Sequence, residues 1–131
     1  MKKEETIGRI GENLFHNILL ENKLKFSELI NKTNNHPFDF IVEDKNIEIK
    51  TSTIHKFNNK INFTWAKNDF KNIDYVVGLV IHKINNIYVI KDILLFNNFY
   101  INSHVAYCAK YGVTKSMPII SNSKLIDVLT E

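Results

Sequence analysis

The sequence predicts an α/β fold with a mixed sheet, and three observations carry that expectation. A leading stretch has apolar residues at 3–4 spacing, two segments alternate with period two around a turn dipeptide, and a β-branched apolar run follows them. The order helix, hairpin, strand, short helix, strand pair describes an α/β sandwich.

Residues 5–22 read as a helix. Ile7, Ile10, Leu14 and Ile18 form the stripe, Phe15 and Leu19 widen it, and Thr6 stands where an N-cap belongs. Gly8 and Gly11 each cost about 1 kcal/mol relative to Ala in a helix, which predicts close approach to whatever the helix packs on. Leu24 to Leu29 suits a short strand or a helical extension, and Asn31 to His36 a polar loop. Pro37 to Glu43 and Asn46 to Thr51 alternate around Asp44-Lys45, the pattern of a β-hairpin. Ile61 to Trp65 follows as a third strand and Ala66 to Asn72 as a short helix or loop. Asp74 to His82 is a buried central strand, and Asn85-Asn86 turns the chain into a returning strand, Ile87 to Lys91. Helices near 103–111 and 123–130, with Ser103 and Ser123 as caps, complete the reading.

With 131 residues the chain has room for a single domain, 1–131, with one core. An apolar fraction of 44% with nine Phe excludes wholesale disorder, and no apolar run is long enough to span a membrane. The charged start, Met1-Lys2-Lys3-Glu4-Glu5, predicts no secretory signal. A lone cysteine, Cys108, forms no internal disulfide, and both features fit a cytoplasmic protein. The net charge of +3 is unevenly spread. Residues 1–50 hold eight basic and nine acidic groups, whereas residues 51–131 hold nine and five. This bias permits a nucleic-acid partner without requiring one. All but one of the basic groups are lysines, so phosphate contacts would be point-charge contacts rather than bidentate arginine forks.

The chemistry concentrates on the hairpin. A two-residue turn at Asp44-Lys45 sets Asp39 opposite Lys50, with Glu48 on the adjacent diagonal, so two carboxylates and an ammonium share one face. A three-residue turn would flip Asp39 away. Paired carboxylates repel unless a cation joins them, and Mg²⁺ takes one or two carboxylates while keeping sites for waters and substrate phosphates. Such an ion stabilises charge building up on a scissile phosphate, and Lys50 would orient or deprotonate the attacking water. The plain alternative is a cross-strand surface salt bridge worth about 0–1 kcal/mol. Against it, these acids lie in strands otherwise made of Phe, Ile and Val. Glu12 also falls on the border of the helix's apolar face.

Gly11-Glu12 on a first helix, Pro37-Phe38-Asp39 on one strand and Glu48-Ile49-Lys50 on the next resemble the PD-(D/E)XK nuclease superfamily. The resemblance covers roughly residues 5–92, leaving 93–131 as a C-terminal extension. It implies a restriction-endonuclease-like α-β-β-β-α-β core and hydrolysis of DNA phosphodiesters with Mg²⁺, for which Mn²⁺ would substitute. By matching positions, Asp39, Glu48 and the Ile49 carbonyl would ligate the metal, Lys50 would be the catalytic lysine and Glu12 an auxiliary acid. Lys-Thr-Ser after Glu-x-Lys, with Phe63, Trp65 and Asp74-Tyr75, leans toward the homing or restriction-like group. One site cuts one strand, so duplex cutting implies a homodimer. The rivals are a Holliday-junction-resolvase-like enzyme and a non-catalytic DNA-binding module on the same fold.

The remaining features are weaker. His16, His36, His55, His82 and His104 show no zinc spacing, though His36 precedes Pro37 and could approach the site from its loop. Lys56, Lys60, Lys67 and Lys71, interspersed with Asn58, Asn59, Asn62 and Asn68, suit either a phosphate-tracking segment or a solvated loop. Trp65 suits either the core or base stacking.

Overall fold

A computed structural model describes residues 3–29, 39–65, 72–112 and 117–131, without the side chains of residues 3–6. The chain runs α1 (Lys3–Glu21), β1 (Phe26–Glu28), β2 (Phe40–Val42), β3 (Lys45–Ser52), β4 (Lys60–Thr64), β5 (Tyr75–Ile84) and β6 (Ile87–Asn97). It continues through α2 (Asn98–Ser103), β7 (Ala106–Lys110), β8 (Ile119–Ile120) and α3 (Asn122–Leu129). Six strands form one sheet in the order β1-β2-β3-β5-β6-β8, and β4 and β7 form a separate two-stranded ribbon. Among the described strands only β3 and β5 pair in parallel, so the sheet is mixed as expected.

Each face of the sheet has its own core. On one face Phe15, Ile18 and Leu19 of α1 pack over Phe40, Val42, Ile47, Ile49, Val77, Leu79 and Ile81, joined by Leu125 and Leu129 of α3. On the other face Ile61, Phe63 and Trp65 cover Val76, Val80, Leu94 and Phe96. β5 is therefore buried on both sides, which is why Val76 to Ile81 reads as an unbroken apolar run. Gly11 meets the predicted close approach: a Cβ there would lie 1.8 Å from Thr51 Oγ1 on β3. Gly8 has open space around it. The helix starts at Lys3, so Thr6 lies inside it rather than capping it. It ends with Lys23 in the left-handed conformation (φ 56°) and the Leu24 N–H donating to the Leu19 carbonyl, a Schellman closure.

Several expectations need correction. Leu24 to Leu29 resolves to the short strand β1, paired with β2. The hairpin turn is Glu43-Asp44, both at positive φ (47° and 73°), not Asp44-Lys45. Lys45 instead pairs with Val42, and its ammonium reaches the carbonyls of Leu129 and Glu131 at 3.1 and 2.8 Å, completing the end of α3. The third strand, β4, leaves the main sheet for the ribbon. Residues 103–111 are not a helix. They hold strand β7, whose alternating Tyr107 and Ala109 turn inward, while the helix before it is α2, capped by the Asn97 side chain. Ser103 is the last residue of that helix and donates to the Phe99 carbonyl. Ser121, not Ser123, caps α3. Residues 93–131 are no appendage, since Ile93, Leu94, Phe96, Ile101, Leu125 and Leu129 lie in the two cores. The expected elements at 31–36 and 66–71 fall outside the described residues.

Candidate active site

β2 and β3 are joined through the even, two-residue turn Glu43-Asp44. Phe40 pairs with Ile47, Ile41 with Asn46 and Val42 with Lys45, and Asp39 stands just before this ladder, so it is not set opposite Lys50. Phe40, Ile47 and Ile49 bury against α1, which leaves Glu48 and Lys50 on the ribbon-facing side of β3.

Here backbone pairing between β2 and β3 hands over to a side chain. The Asp39 N–H donates to the Ile47 carbonyl at 3.0 Å, and the Asp39 carboxylate accepts from the Ile49 N–H at 2.9 Å. Asp39 is 4% exposed and Glu48 5%, the two buried acids among the described residues. Lys50 brings its ammonium to 3.5 Å from the Glu48 carboxylate, with its side chain about one-third exposed (32%). A surface salt bridge does not describe this arrangement, because both acids are withdrawn from water. Burying charge is costly unless it is compensated, and residues held in that state are candidates for chemistry.

Lys50 pairs with Gly78 on β5, and the Phe63 ring sits 3.0 Å from where a Cβ at Gly78 would be. The ribbon thus presses closely onto the sheet next to the lysine, at a position where a side chain would crowd the Phe63 ring.

Glu12 is elsewhere. It lies 3.4 Å from the Arg9 guanidinium, and no three His, Cys, Asp or Glu side chains among the described residues are grouped to hold a metal. Sequence reasoning missed the acid that Arg9 and His16 share: Glu28 takes His16 Nδ1 at 2.7 Å and Arg9 at 3.6 Å, with its side chain 11% exposed. Nothing local flags it, because Glu28 meets α1 only through the pairing of β1 with β2.

Beyond Lys50, Thr51, Ser52 and Thr53 open onto a cleft of about 650 Å³, also lined by His55, Lys60, Asn62 and Cys108. Lys56 and Lys60 are exposed beside it, whereas Lys67, Lys71, His36, Pro37 and Phe38 lie outside the described residues. Trp65 does not present its ring for stacking. It is 5% exposed, and its indole N–H donates to the carbonyls of Ile101 and His104 at 3.1 and 2.7 Å.

With this geometry in place, the likeness to a solved structure can be read. A bacterial homing endonuclease superposes over 98% of this chain and 94% of its own, with a TM-score of 0.63 at 10% sequence identity. The two share a fold. No family model and no curated protein sequence matches the chain. No described helix is long and apolar enough to cross a membrane.

Proposed function

We propose that the protein is a Mg²⁺-dependent DNA endonuclease of the PD-(D/E)XK type. One observation carries the reading: Asp39 and Glu48 are both buried at one end of the hairpin, Asp39 tied to the Ile49 N–H and the Lys50 ammonium 3.5 Å from Glu48. Two carboxylates withdrawn from water at one end of the hairpin suit a hard divalent cation, with the Ile49 carbonyl as a third oxygen. When bound, Mg²⁺ or Mn²⁺ would neutralise both carboxylates and stabilise negative charge on the scissile phosphate. Asp39 uses one oxygen to hold the Ile49 N–H, which fixes its carboxylate relative to β3. Lys50, held by Glu48 and about one-third open to solvent, orients the attacking water and balances the charge that develops in line with it. Glu12 is an auxiliary acid on α1. Lys56 and Lys60 would take DNA phosphates, and Lys67 and Lys71 share their segment. The fold shared with a homing endonuclease supports a DNA substrate and a restriction- or homing-like role. Cutting both strands would take two copies, so a homodimer belongs to the proposal.

The test is cleavage of supercoiled plasmid with Mg²⁺ by the wild type, Asp39→Asn and Lys50→Ala. Asparagine keeps an acceptor for Ile49, so the fold should survive in that variant. The expected outcome is nicking and linearisation by the wild type alone, lost with EDTA and restored by Mn²⁺. Equal cutting by both variants would remove these residues from the mechanism.

A further inference from the structure

The β4–β7 ribbon turns one row of side chains inward and the other to solvent. The outer row pairs Lys60 with Lys110, Asn62 with Cys108 and Thr64 with Ala106, and it contains no carboxylate. Like charges directly opposite each other on a ribbon are unfavourable, and Lys60 facing Lys110 is such a pair. An anion between or along them removes that repulsion.

The turn leading into β4 adds a second oddity. Phe57 is 92% exposed, more than any other large apolar side chain among the described residues. Its turn is firmly held. Asn59 N–H donates to the His55 carbonyl at 2.9 Å, Lys60 N–H to Asn58 Oδ1 at 3.1 Å, and Asn59 Nδ2 to the Tyr111 carbonyl at 2.9 Å. An ordered turn thus presents an apolar ring to water between Lys56 and Lys60. This surface is also tied to the candidate site, because the Asn62 N–H donates to Ser52 Oγ, two residues beyond Lys50, at 3.1 Å.

We propose that the outer face of this ribbon is a DNA-reading surface that enters the major groove. The proposal rests on the DNA substrate proposed above. A two-stranded ribbon fits the width of that groove. Lys60 and Lys110 meet phosphates, Asn62 offers the donor and acceptor that pair with an adenine edge, and Phe57 packs on a thymine methyl, a group exposed only there.

The experiment selects duplexes from a randomised library in EDTA, so that binding is read without cleavage. Methylation interference on the selected duplex should fall at guanine N7 in the major groove. Replacing thymine by uracil should weaken wild-type binding about 3- to 5-fold, the value of one buried methyl, and leave Phe57→Ala unaffected. Lys110→Ala should lower the salt slope of binding by about one. Interference confined to adenine N3, or a Lys110→Ala slope equal to wild type, overturns the proposal. So does a Phe57→Ala change in sedimentation without DNA, which would mark a contact between copies. A protein that selects no DNA loses both proposals, whereas guanine N7 interference in a protein that never cuts keeps the ribbon and removes the nuclease.

Discussion

The two faces of β3 do opposite work within eight residues. Toward α1 the strand presents Ile47 and Ile49, buried among Phe15, Leu19 and Phe40, and Thr51 under Gly11. Toward the ribbon it presents Glu48, Lys50 and Ser52, with Glu48 as buried as its apolar neighbours on the strand. Burial on the first face is a source of stability. On the second it is a cost, since two carboxylates and one partly solvated lysine share a space that apolar groups would fill more favourably. Equal burial therefore means opposite things on the two faces, and substitution separates them.

The largest expected effect comes from that contrast. Phe40 is fully buried and meets Phe15 edge-on at 5.0 Å, so Phe40→Ala should lower unfolding free energy by about 3–5 kcal/mol. Glu48→Gln should raise it by about 1 kcal/mol at neutral pH while abolishing cleavage, because an uncharged amide is cheaper to bury by more than the ion pair with the partly solvated Lys50 is worth. Urea unfolding in EDTA measures both. A Glu48→Gln protein less stable than wild type would mean that Glu48 is held for the fold and not for chemistry.

The next effect sharpens the same comparison on α1. Gly11→Ala puts a methyl 1.8 Å from Thr51 Oγ1, so the helix must lift off β3. Overpacking of this kind costs about 1–3 kcal/mol, against about 1 kcal/mol recovered in helix propensity. Gly8→Ala, with nothing within 4 Å, should recover the propensity alone and stabilise by about 1 kcal/mol. Opposite signs from the same substitution three residues apart, read as thermal midpoints, would confirm that only Gly11 is required by packing.

What was legible in the sequence follows the distance over which each feature is decided. The α1 stripe, the alternation of the hairpin and the Asn85-Asn86 turn are local, and each appears in its expected place. The hairpin register was missed by two residues because Lys45 is drawn into pairing by the carbonyls of Leu129 and Glu131, more than eighty positions away. Strand β7 was unreadable because Ala106, Cys108 and Ala109 carry little strand signal, and its state is set by pairing with β4. The separation of β4 from the main sheet is tertiary in the same way. Asp39, Glu48 and Lys50 were visible because their spacing on one hairpin is itself local chemistry. Phe57 was not, since a phenylalanine in a sequence does not announce that nothing covers it.

The smallest effect concerns the ribbon side of the sheet at high pH. Tyr111, just beyond β7, donates its hydroxyl to the Asp92 carboxylate, and burial together with that neighbour pushes its pKa up to about 12. Burial also raises Tyr100 and Tyr107 in the same cluster. A phenol whose folded pKa exceeds its unfolded value of 10 binds more protons folded than unfolded between those limits. Its contribution to stability is therefore complete below pH 10 and is lost as pH rises toward 12. Tyr111→Phe should flatten part of that alkaline decline and leave the remainder, which belongs to Tyr100 and Tyr107. Denaturant midpoints collected from pH 8 to pH 12 measure it. Phe40→Ala removes no titrating group, so it should shift the whole curve downward without changing its slope. A Tyr111→Phe curve parallel to wild type would mean that the Asp92 bond does not survive in solution.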